Sequence, residues 1–195
     1  MDRLRISLLD KVYIEKDSQT FTDFNSDQVL GLLGFLLVER SYEHSRESLI
    51  EMFWPDTSET SARNQLRISL FRIKQAFQDV LGGEALIIGS NRVTKVNPNC
   101  HPWVDVQQFQ SVVERYQDEF FNAGSLSASA IYELDEALNL YKGEFLLDLK
   151  IETERFNNWL FYKREQYRQY ASWANNRLLE FHEGNRNFDR CLQYT

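Results

Sequence analysis

Residues 54–78 read WPDTSETSARNQLRISLFRIKQAFQ, and this stretch decides the fold. Trp54-Pro55-Asp56 closes one helix, because the residue before a proline is pushed out of the helical region. A short turn then opens a second helix of about five turns, beginning near Glu59. Asp56 and Glu59 have capping-box spacing for it, and Gly82-Gly83 stops it. Ala62, Leu66, Leu70, Ile73 and Phe77 recur at helical spacing and form one apolar stripe. Between Thr60 and Gln78 there is no acid, and the bases are Arg63, Arg67, Arg72 and Lys74. Arg63, Arg67 and Lys74 fall within roughly 40° of each other on a different face. A core-anchored helix with a purely basic outer stripe, in a chain of net charge −7, is a candidate for entering a nucleic-acid groove.

The segments on either side support that reading. Upstream, Leu4, Ile6 and Leu8 alternate with polar residues, and Val12 and Ile14 alternate again after Asp10-Lys11. Asp17-Ser18-Gln19 marks a further turn leading to Phe21, so a small antiparallel sheet is expected. Asn25, with Gln28 three residues on, predicts a helix start. The run VLGLLGFLLVER that follows is apolar nearly all round and is expected to be buried, its two glycines admitting a close neighbour. Ser45 caps a short helix, RESLIEMF. Downstream, ALII and VTKV flank Gly89-Ser90-Asn91-Arg92, which predicts a β-hairpin. The order of sheet, three helices and hairpin is the plan of a winged helix-turn-helix, whose last helix sits in the major groove with the hairpin beside it.

Asn97-Pro98-Asn99-Cys100-His101-Pro102 is the clearest boundary in the chain. Two domains are expected: a winged helix over residues 1–98 and an all-α domain over 103–195. Beyond the boundary everything reads helical, with segments from Val104 to Asn122, Ser127 to Tyr141 and Thr153 to His182, and another starting at Arg186. Glycine-marked turns between successive helices suggest stacked helical hairpins, and Ala137-Leu138-Asn139-Leu140-Tyr141 is tetratricopeptide-like. Phe188, Leu192 and Cys191 would face inward in a helix that has no partner in the sequence, so the chain reads as a fragment of a longer protein or as covered by a partner at that end.

On these residues the chain resembles the bacterial transcriptional activator domain architecture of the SARP-like regulators. The resemblance rests on Leu32-Leu33-Gly34-Phe35-Leu36-Leu37, on Arg46-Glu47-Ser48-Leu49-Ile50 leading to Phe53-Trp54-Pro55-Asp56, and on Ala62-Arg63-Asn64-Gln65-Leu66-Arg67 with Leu70, Arg72, Ile73 and Lys74. It continues through Trp103-Val104-Asp105-Val106, Phe109, Ala137-Leu138, Tyr141-Lys142-Gly143-Glu144-Phe145-Leu146, and Trp159 with Lys163-Arg164-Glu165, covering nearly the whole chain. The resemblance implies an α+β response-regulator-type winged helix joined to an all-α tetratricopeptide-like domain. It implies a DNA-binding transcriptional regulator, an activator, in which the helical domain mediates self-association or relays a signal. Three positions depart from the family's pattern: Lys74 where arginine is frequent, Phe71 where a small polar residue is common, and a hairpin turn with one base, Arg92.

The expected DNA-binding residues are Arg63, Asn64, Arg67, Phe71, Arg72, Lys74, Arg46, Asn91 and Arg92. Arg63, Asn64 and Arg67 lie nearest the bases; Arg72, Lys74 and Arg92 act mainly on phosphates. Each has a plainer alternative. The basic stripe could be a solvated face paired with neighbouring acids. Asn64 reads adenine or caps nothing in particular. Phe71 touches a thymine methyl or packs on a partner. Arg72 meets phosphate or pairs within the molecule. Ser45 and Arg46 hold phosphate at a helix N-terminus or simply cap it.

Other chemistries find little support. The histidines are scattered, with no acid or cysteine at metal spacing. There is no glycine-rich phosphate loop, no GxSxG and no HExxH, so neither an enzyme nor a cofactor is expected. Cys100 and Cys191 lack CxxC spacing and read as free thiols. The longest apolar run, Leu30 to Val38, is far short of a membrane span, and the N-terminus becomes charged too soon for a secretion signal, which favours the cytoplasm. Trp54, Trp159 and Trp173 read as core, and Tyr162, Tyr167 and Tyr170 as interhelix packing. The remaining functional alternatives are a protein-interaction scaffold whose winged helix no longer binds DNA, and the N-terminal arm of a larger nucleotide-driven switch.

Overall fold

The alternating N-terminal run becomes a sheet. In the computed structural model, which describes residues 4–16, 19–21, 26–78, 81, 83–187 and 190, β1 (Arg5–Ser7) pairs antiparallel with β2 (Tyr13–Lys16), and β2 with β3 (Gln19–Phe21). Leu4, Ile6, Leu8 and Ile14 are buried, as the period of two requires. Three helices follow: α1 (Asp27–Val38), α2 (Arg46–Phe53) and α3 (Glu59–Gln78). A second sheet is formed by β4 (His44–Ser45), β5 (Ile87–Gly89) and β6 (Val93–Val96) in the order β4-β6-β5. β7 (Trp103–Val104) precedes α4 (Asp105–Ala123), α5 (Ala128–Leu138) and α6 (Glu154–Gly184). The chain is thus α+β, an arrangement consistent with a winged helix followed by a helical domain.

The start of α1 is set by Ser26, whose side chain makes no capping bond; Asn25, the expected cap, lies outside the described residues. Every residue from Gly31 to Leu37 is buried. The glycines admit the neighbour that the sequence left unidentified. A Cβ on Gly31 would lie 2.4 Å from Ile151 Cδ1, and one on Gly34 would lie 2.9 Å from Leu146 Cδ1. The connection between α5 and α6 therefore packs directly on α1. Aromatic rings close the same seam: Phe35 on α1 lies 5.1 Å from Trp159 on α6, and Phe53 on α2 lies 5.0 Å from Phe156 on α6. Glu39 at the end of α1 accepts hydrogen bonds from Trp159 Nε1 (3.0 Å) and from Lys163, whose Nζ lies 3.0 Å from its Oε1. Burial works to raise the Glu39 pKa, but these two partners prevail and hold it below the ordinary carboxylate range.

Several expectations shift. The segment after Pro102 is not helical at once: Trp103 and Val104 form β7, which lies parallel to β1 and extends the N-terminal sheet. Asp105 then begins α4 with its carboxylate buried against the chain that leaves β1. It accepts backbone N–H groups of Leu8 (2.9 Å), Leu9 (3.0 Å) and Val106 (2.6 Å). Burial nevertheless pushes its pKa up to about 6, against the opposing pull of those donors. In α3, Leu70 is only half-buried and Ser69 takes the inward position beside Leu66 and Ile73. The helix begins at Glu59, with the Ser58 carbonyl accepting Ala62 N–H at 2.8 Å, so Asp56 lies two residues too early to cap it. Gly83, at φ +95°, adopts the left-handed conformation expected after α3; Gly82 lies outside the described residues.

Trp54 is buried, and Trp159 and Trp173 are half-buried against the core. Tyr167 is fully buried and Tyr170 is partly so, donating to Glu114 Oε1 at 2.6 Å. Tyr162 departs from the interhelix reading: it is 70% exposed beside Phe161. Phe188, Leu192 and Cys191 lie outside the described residues.

Candidate nucleic-acid interface

α3 is held from behind. Ala62, Leu66, Ile73 and Phe77 are buried at 1% exposure or less, which fixes the rotation of the helix and turns Arg63, Asn64, Arg67, Phe71, Arg72 and Lys74 to solvent. Each large apolar anchor contributes roughly 1.5–3 kcal/mol, several times the worth of a surface contact, so packing and not the polar face sets the orientation.

Two more elements are brought to the first turns of α3. Ser45 caps α2 by accepting Ser48 N–H at 3.0 Å, which fixes the start of that helix and places Arg46 there. The hairpin β5–β6 is tied to the same point. Ser45 pairs with Val93 across β4 and β6, and Arg46 N–H donates to the Arg92 carbonyl at 2.8 Å. The hairpin turn is tight: a Cβ on Gly89 would lie 2.3 Å from the Val93 carbonyl oxygen, and Ser90 Oγ accepts N–H groups from Arg92 (3.1 Å) and Val93 (3.3 Å). Asn91, at the tip, is thereby positioned against α3.

Arg46, Arg63, Asn64, Arg67 and Asn91 meet around one open concavity of about 460 Å³, floored by Ile50 and Leu66. Five of the nine residues expected from the sequence converge there. The other four do not line it. Lys74 and Arg72 lie farther along α3, Phe71 stands at its flank with 55% of its surface exposed, and Arg92 turns its carbonyl to Arg46 while its side chain is exposed.

The charges are not idle. Arg63 donates from Nε and Nη2 to Glu59 Oε1 (3.0 and 2.8 Å), and Glu47 on α2 lies 3.9 Å away. These groups are all more than half exposed, so the pairing is worth only about 0.3–0.5 kcal/mol and yields readily to a stronger anion. Arg67 Nη2 donates to Asn64 Oδ1 at 2.9 Å. Arg46 lines the concavity, and its Nε is buried without a hydrogen-bond partner. Glu59 was visible as an acid one turn before Arg63. Glu47 was not, because its approach depends on how α2 packs against α3.

Among the described residues there is no group of three histidine, cysteine or acidic side chains able to hold a metal, and no helix long and apolar enough to cross a membrane. Cys100 is buried and free, its thiol pushed up by burial and by Glu84; Cys191 lies outside the described residues.

No protein-family model matches the sequence, and no curated protein matches it. Among solved structures, the fold matches that of Mycobacterium tuberculosis EmbR, determined in complex with a low affinity phosphopeptide, with a TM-score of 0.67 at 14% sequence identity. The match covers 95% of this chain and 49% of that one, so the chain spans about half the length of EmbR. At that identity the likeness is one of fold, and over nearly its whole length this chain is folded like the matched half of EmbR.

Proposed function

We propose that this chain is a sequence-specific DNA-binding transcriptional regulator that places α3 in the major groove. The observation that carries the reading is the convergence of Arg63, Asn64 and Arg67 with Arg46 and Asn91 around one concavity, on a helix whose opposite face is locked in the core. The fold shared with EmbR and the resemblance to SARP-like activators agree with it.

The groups divide by chemistry. Arg46, which lines the concavity from the start of α2, meets a phosphate oxygen, as does Arg63 once it leaves Glu59. Arg72, Lys74 and Arg92 follow the backbone farther out, positioning rather than specifying. Asn64 and Arg67 face base edges. Net charge −7 keeps nonspecific attraction weak, so binding depends on this local face. One such module makes few contacts, and useful affinity needs two copies on adjacent half-sites. The helical domain, read as tetratricopeptide-like, supplies self-association or relays a signal in the cytoplasm.

The test is fluorescence-anisotropy binding to duplexes selected from a random pool, across a salt series, with wild type beside Arg63→Ala/Arg67→Ala. Enrichment, a log–log salt slope of about −0.9 per phosphate and loss of binding in the double variant are expected. A second reading, a protein-interaction scaffold, is favoured by Phe71 and by Ile68, 36% exposed on the same helix. It predicts no enriched duplex and partner binding that is insensitive to salt.

A further inference from the structure

Resting on the DNA-binding reading, we infer that Asn64 and Arg67 form one coupled reader of two adjacent bases, an adenine and a guanine, and that Phe71 extends the read to a thymine methyl. The coupling is on the surface of α3. Arg67 Nη2 donates to Asn64 Oδ1 at 2.9 Å, across one helical turn and beside the concavity. This bond leaves each side chain able to complete a base-specific pattern. An amide oxygen has two acceptor sites, so Asn64 Oδ1 still accepts an adenine N6–H while Nδ2 donates to N7. A guanidinium has five N–H donors, so Arg67 keeps a donor pair for guanine O6 and N7. The bond also sets the guanidinium plane before DNA arrives, reducing the side-chain freedom lost on binding.

Arg63 does not join this pair. Its Nε and Nη2 bond to Glu59, one turn toward the helix start, and not to Asn64 or Arg67, so its part is the phosphate contact. Phe71 lies one turn beyond Arg67, and with Asn64 the three residues fall within roughly 60° of one another. From residue 64 to residue 71 the helix rises about 10 Å, which matches about three base-pair steps. A ring 55% exposed on a helix otherwise anchored by buried apolar groups makes no contribution to the core that would account for it. Its apolar face suits the only methyl group displayed in the major groove, that of thymine.

Random-pool selection is run with wild type, Asn64→Ala, Arg67→Lys and Phe71→Ala, each checked by thermal melting; all these positions are exposed, so the fold is expected to survive. Wild type should enrich sites carrying adjacent adenine and guanine with a thymine within about three base pairs. Asn64→Ala should relax adenine and blur guanine together, because it removes both the amide and the group that orients Arg67. Arg67→Lys keeps the charge but loses the fork, so guanine preference should fall about tenfold or more while binding to other duplexes persists. Replacing that thymine by deoxyuridine should weaken wild type a few-fold and leave Phe71→Ala unaffected. If Asn64→Ala and Arg67→Lys bind every duplex more weakly with an unchanged preference, the coupled reader is overturned while the DNA-binding reading stands. If wild type enriches nothing, both fall.

Discussion

The outer face of α3 and the seam between α1, α2 and α6 both carry large side chains but handle them in opposite ways. In the seam, Phe35, Phe53, Phe156 and Trp159 interlock with ring centroids 5.0–6.1 Å apart, and Glu39 is satisfied by Trp159 and Lys163. On α3, Arg63 meets Glu59 and Glu47 in contacts that are more than half exposed, and Phe71 leaves 55% of its surface open. Removing a seam residue should therefore cost stability, whereas removing an α3 surface residue should cost only binding. A helix held by its back is free to spend its front on a partner.

The largest expected effect lies in the seam. Phe156→Ala empties a fully buried site between α2 and α6 and should cost about 4 kcal/mol in urea unfolding. A loss under about 1 kcal/mol would mean that the aromatic layer does not hold these helices together.

Asp105 comes next. Its folded-state pKa of about 6 stands above the ordinary value of 3.8, so the protonated form is favoured by folding. The stability this contributes is fully present below about pH 4 and is lost as pH rises through about 6. Asp105→Asn does not titrate. The stability of wild type relative to Asp105→Asn should therefore fall by about 3 kcal/mol between pH 3.5 and pH 7. A difference that is flat, or that rises with pH, would show that the three N–H donors outweigh burial.

On α3 the pattern reverses. Arg67→Ala should leave unfolding within about 0.5 kcal/mol of wild type while lowering affinity for a selected duplex about tenfold or more. Equal losses in both measurements would erase the contrast between the two regions. The smallest effect belongs to Glu59→Gln. Removing the acid that competes for Arg63 should raise DNA affinity about twofold with little change in the salt slope, both read by anisotropy. Weaker binding would show that Glu59 orients Arg63 instead of competing for it.

How much of this could be read from the sequence followed from the range of the interactions. Local periodicity places α1, α2, α3 and the hairpin within a few residues, and Ser45 caps α2 as expected, because caps and amphipathic faces are set within one or two turns. The parallel pairing of β7 with β1 was not legible: two residues carry too little pattern, and their partner lies about a hundred positions away. Gly31 and Gly34 announced a close neighbour, but Ile151 and Leu146 come from a connection without periodicity. Asp105 looks like an ordinary acid at a helix start; its buried flanks, Val104 and Val106, were the only hint that it is enclosed. In the candidate site, helical spacing grouped Arg63 and Arg67, which both line the concavity. It also grouped Lys74, because angle alone ignores the distance along the axis that takes Lys74 beyond the concavity.

Whether the first turns of α3 read DNA is decided by the affinity of wild type and Arg63→Ala/Arg67→Ala for one selected duplex between about 50 and 200 mM salt. Wild type should show a steep slope, and the double variant a slope shallower by about 0.9 for the phosphate contact of Arg63, with a loss of affinity at every salt concentration. Identical slopes and affinities for the two proteins would contradict this and would remove α3 as the reader.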